Sequence, residues 1–78
     1  MMSIAVSVHG YTRRLNVIAF VKLIRKATGE SLAPAKGRVD NLLAGEPFEI
    51  VFPDDETAAS FHEAATALGA VATRSGNP

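Results

Sequence analysis

Apolar and polar residues alternate from Ser3 to His9, with Ile4, Val6 and Val8 on one side and Ala5, Ser7 and His9 on the other. A period of two predicts a half-buried strand, which Gly10 to Arg14 is expected to break. The spacing then becomes helical. Phe20, Leu23, Ile24 and Ala27 share one arc between Val17 and Thr28, with Val17 at its margin. That arc is the expected core stripe, with Asn16 placed to cap the helix and Gly29 to end it in the left-handed conformation.

Ser31 is the expected cap of a second helix running to about Leu43, and Pro34 is tolerated in its first turn, where backbone N–H groups lack helical partners. Leu32, Ala35, Val39 and Leu42 form its apolar stripe, and Gly45 ends it. Gly37 lies mid-helix, where glycine costs about 1 kcal/mol relative to alanine. Pro47 to Phe52 alternates again, with Phe48, Ile50 and Phe52 inward. Pro53-Asp54-Asp55-Glu56 opens a third helix with carboxylates suited to its N-terminal dipole. Its stripe is Ala58, Phe61, Ala65 and Leu68, and Gly69 stops it. Ala70 to Thr73 reads as a short last strand and Arg74 to Pro78 as a loose tail.

The predicted order is β-α-α-β-α-β: an α+β two-layer sandwich, with a three-stranded sheet and three helices on one face. No linker or repeat divides the 78 residues, so residues 1–78 are expected to form one domain, ordered over about residues 3–74.

Composition narrows the function. The chain has no cysteine, which removes disulfides, thiolate chemistry and Cys-ligated metals. Its start lacks a basic segment followed by a long apolar run, and no stretch has the apolar length of a membrane span. The expected location is the cytoplasm, with no membrane partner. Net charge is zero but segregated. Residues 1–40 carry seven cations against two carboxylates, for +5, and residues 41–78 carry one cation against six carboxylates, for −5. If the two halves occupy different faces, the basic one steers acidic partners.

Candidates for catalysis are few. His9 and His62 lack neighbours at metal-ligand spacing, Asp54-Asp55-Glu56 is explained by helix capping, and no glycine-rich phosphate loop or nucleophile elbow is present. No catalytic residue, metal or cofactor is therefore expected. The first helix is more informative. Ile18, Val21, Lys22 and Arg25 follow i, i+3, i+4, i+7 on the side opposite Phe20, Leu23 and Ala27. Either the second helix covers Ile18 and Val21, or they form an apolar docking patch among cations, joined by Lys36 of the second helix. The same cations permit a nucleic-acid reading. Against it stand zero net charge, a single tyrosine (Tyr11), and a second helix offering only Lys36, Arg38 and Asn41 as reading residues.

From Lys22 to Asp40 the sequence KLIRKATGESLAPAKGRVD resembles the C-terminal domain of the bacterial ribosomal stalk protein. The shared skeleton is a basic residue, Arg, Ala-Thr-Gly, Leu, Ala-Lys, Val and an acid, and a looser likeness extends from about Ile4 to Arg74. The resemblance implies the element order already derived. It also implies recruitment of translational GTPases through the exposed face of the first two helices, here Ile18, Val21, Lys22, Arg25 and Lys36. Val17, Lys26 and Ala33 depart from the family pattern, as do Glu30-Ser31 and Gly37. No counterpart of the family's dimerising region and hinge precedes the first strand, so a stand-alone relative is expected. That fold is also similar to the fold of the N-end-rule protease adaptor, and Gly10-Tyr11-Thr12 resembles that group, without the remainder of its pattern.

The leading expectation is a non-enzymatic adaptor or inhibitor, of the immunity-protein kind, docking an acidic protein through those five residues. A translational GTPase or a nucleic acid is the alternative partner, and the sequence leaves the oligomeric state open.

Overall fold

The computed structural model describes residues 3–77. Strand β1 (Ser3–Tyr11) is followed by helices α1 (Val17–Thr28) and α2 (Leu32–Leu43), strand β2 (Phe48–Phe52), helix α3 (Asp55–Ala67) and strand β3 (Ala70–Asn77). The sheet order is β2-β1-β3, with both neighbours antiparallel to β1. The polypeptide therefore crosses from one edge to the other between β2 and β3, and α3 makes that crossing over β1. This is the α+β fold and element order expected from periodicity.

Alternation in the strands decides which face is covered. Ile4, Val6 and Val8 of β1, Ile50 and Phe52 of β2 and Ala70 of β3 are buried, in one core with residues from all three helices. The other face, with Val51 and Val71, is open. Phe20 and Ile24 from α1, Ala35, Val39 and Leu42 from α2, and Ala58, Phe61 and Ala65 from α3 close the core. Ring contacts tie the layers together, Phe20 to Phe48 at 6.1 Å and Phe52 to Phe61 at 5.3 Å between centroids.

The caps follow local chemistry. Asn16 accepts a hydrogen bond from the Ala19 N–H, and Asp54 accepts one from the Thr57 N–H at 2.8 Å. Gly29 ends α1 at φ 75°. Ser31 occupies the first cap position of α2 in extended conformation, but its side chain makes no capping hydrogen bond.

Four local expectations are corrected. Gly10 does not end β1: a bulge between Val8 and Gly10 absorbs His9, and pairing continues to Tyr11 opposite Ala70. The expected tail is strand as far as Asn77, because Arg74, Ser75, Gly76 and Asn77 pair with Val6, Ala5, Ile4 and Ser3; Pro78 lies outside the described residues. Ala27 is exposed and Leu23 only half-buried, so the core arc of α1 is turned towards Val21. Leu32 is exposed as well, so the buried stripe of α2 begins at Ala35.

Candidate functional site

The groove between α1 and α2 holds all five residues singled out from the sequence. Ile18, Val21, Lys22 and Arg25 line it from α1 and Lys36 from α2, joined by Val17 and Leu32. Its volume is about 210 Å³. The two sequence alternatives for Ile18 and Val21 divide. Val21 is 7% exposed and belongs to the core, whereas Ile18 remains 72% exposed beside Leu32 at 54%. An apolar floor with two bare aliphatic side chains is thus rimmed by three cations.

Those cations are unengaged. The two ion pairs among the described residues use Arg38 with Glu30 and Arg74 with Asp55, leaving Lys22, Arg25 and Lys36 without a carboxylate within bonding range. Cations on flexible stems beside exposed apolar carbon provide steering and apolar contact together.

The turn between the two helices is braced. Arg38 of α2 reaches back to Glu30 through two parallel contacts, Nε to Oε1 at 2.8 Å and Nη2 to Oε2 at 3.1 Å. The single Thr28 hydroxyl proton is shared between the Ile24 carbonyl at 2.8 Å and Glu30 Oε1 at 3.2 Å, and the hydroxyl oxygen accepts the Glu30 N–H. The Arg38 guanidinium also lies 5.8 Å from the Phe48 ring centroid, and Phe48 touches Phe20. Arg38 hydrogen bonding holds the Glu30 carboxyl below the usual carboxylate range, and the Arg38 guanidinium is raised in turn. This brace sets the angle between the helices that form the groove. Sequence spacing gave no sign of it, because Glu30 lies outside α2 and eight residues from its partner.

The start of α1 is fixed from the other end. The Thr12 and Asn16 N–H groups donate to the Gly69 and Leu68 carbonyls. Gly69 adopts φ 103°, and a Cβ there would stand 2.7 Å from the Leu15 Cα. Only glycine allows the α3–β3 turn to approach the segment that launches α1.

A larger hollow of about 480 Å³ lies on the other flank of α1, between Leu23, Lys26 and Ala27 and the Ser60 side of α3. It carries a single cation, Lys26. His9 and His62 are not brought together: His9 is exposed in the β1 bulge, and His62 bonds through Nε2 to the Ala72 carbonyl at 2.9 Å. No helix of the described residues is long and apolar enough to cross a membrane.

Compared with protein-family models, curated proteins and solved structures, the chain has no significant match.

Proposed function

We propose that this protein is a non-enzymatic binding module of the cytoplasm that docks an acidic protein surface in the α1–α2 groove. The observation that carries the reading is Ile18, exposed between Leu32 and the unpaired cations Lys22, Arg25 and Lys36. Exposed aliphatic side chains supply affinity when covered, and rim cations raise the association rate and select carboxylates. A complementary partner offers one or two bulky apolar side chains flanked by Asp or Glu. Adaptor and inhibitor roles both fit such a surface. The resemblance around Ala27-Thr28-Gly29 makes a translational GTPase the first partner to test.

The nucleic-acid alternative is weakened by Arg38, one of its reading residues, which is held by Glu30 and stacked near Phe48.

A pull-down from native lysate, with purified elongation GTPases tested in parallel, distinguishes the grooves. Wild type and Lys26→Glu should capture the same partner, and Lys22→Glu/Arg25→Glu should lose it while remaining folded. Equal capture by wild type and the double variant would remove the α1–α2 groove from consideration.

A further inference from the structure

The two edges of the sheet are defended unequally. Strand β2 has five residues, lies between Pro47 and Pro53, and carries Glu49 at its second position. Prolines and charges are the usual means of blocking edge-to-edge pairing. Strand β3 has eight residues and no proline, and its only charge, Arg74, is drawn towards α3 by Asp55 at 3.1 Å. His62 bonds the Ala72 carbonyl, which keeps a second lone pair for another donor. Apart from that bond, no hydrogen bond among the described residues ties the backbone at the outer edge of β3 to the rest of the molecule.

Beside that edge, the outer flank of α3 and β3 form a concavity of about 490 Å³, lined by Ala59, His62, Glu63, Thr66, Ala67 and Arg74. Its charges are one carboxylate and one guanidinium that do not pair with each other. Glu63 on α3 and Arg74 on β3 line one concavity, so a two-fold axis beside that edge brings each carboxylate towards the other copy's guanidinium, next to the Asp55 that already holds it.

We propose that two copies of this chain associate through antiparallel β3 edges, with Thr73 on the two-fold axis. A dyad relating adjacent antiparallel edges must be normal to the sheet, so each residue pairs with one facing the same way and the centre falls on a residue. Centring on Arg74 would set two guanidiniums opposite each other, which is destabilising. Centring on Ala72 would leave residues 75–77 unpaired. Centring on Thr73 pairs Ala70 through Gly76, with Arg74 opposite Ala72 and Val71 opposite Ser75.

The helices agree with this register. Helix α3 packs on both β3 and β1. Strands lie about 4.8 Å apart, so a helix over that boundary meets its symmetry mate at roughly 8–10 Å, the ordinary separation of packed helices. Ala59 and Ala67 keep the facing flank low, and Glu63 of one copy faces Arg74 of the other. The interface shares no residue with the α1–α2 groove, so the dimer presents two such grooves.

The chain has no cysteine, so a single introduced thiol reports the geometry. Thr73→Cys should cross-link to itself rapidly under mild oxidation, because directly opposed residues in an antiparallel pair are within disulfide reach. Val51→Cys, exposed on the other edge strand, should not. Val71→Cys and Ser75→Cys should cross-link efficiently only when mixed. In sedimentation, wild type should reach the dimer mass, and Glu63→Arg should weaken dimerisation at least tenfold. A wild type that stays monomeric into the millimolar range would overturn the proposal, as would Thr73→Cys reacting no faster than Val51→Cys.

Discussion

Ile18 and Val21 sit about one turn apart on α1 and have opposite environments, which separates their contributions to folding and to binding. Val21 is buried in the core, so Val21→Ala should destabilise the protein by about 1–3 kcal/mol in urea unfolding. Ile18 contributes little to the core, and Ile18→Ala should leave stability within about 0.5 kcal/mol of wild type while weakening partner capture. Equal destabilisation by the two substitutions would contradict this division. Gly69 is the other decisive residue. Its positive φ and its approach to the Leu15 backbone predict that Gly69→Ala costs at least about 2 kcal/mol, measured by the same unfolding curve.

The three helices were legible in the sequence to within a residue at each end, because Asn16, Gly29 and Asp54 are local signals. The strands were legible only where alternation was strong. The end of β3 is not legible, because Arg74-Ser75-Gly76-Asn77 has no apolar alternation of its own and pairs with β1, some seventy residues away in the chain. Four of the five candidate site residues came from one helical spacing on α1. Leu32 shares the arc of Ala35, Val39 and Leu42, and periodicity cannot show that α1 leaves the first turn of α2 uncovered. The brace between α1 and α2 was also invisible, and it predicts a pH effect. Glu30 and Asp54 titrate below their ordinary values, Glu30 through Arg38 and Asp54 through the Thr57 backbone N–H. A depressed carboxyl stabilises the fold fully above its unfolded pKa, about 3.9–4.3, and that contribution is lost as pH falls through the lower folded value. The urea midpoint should therefore drop as pH falls below the unfolded range of about 3.9–4.3, and Glu30→Gln should show a smaller drop from a lower starting point. An unchanged acid limb in Glu30→Gln would remove the brace from the account.

Across the whole molecule, charge follows chain order. The elements that build the groove come from the half carrying +5, whereas β2, α3 and β3 come from the half carrying −5. Association at the groove should accordingly slow as salt is raised, since the Debye length falls from about 10 Å at 0.1 M to about 3 Å at 1 M. A salt-independent association rate would mean that the rim cations do not steer. The most direct test of the central claim places a photo-cross-linking residue at position 18, where exposure tolerates it, and at position 51 on the open sheet face as reference. Illumination in cells should attach a second, different protein at position 18 and not at position 51. No adduct at position 18, or the same adduct at both positions, would show that the α1–α2 groove is not the binding surface.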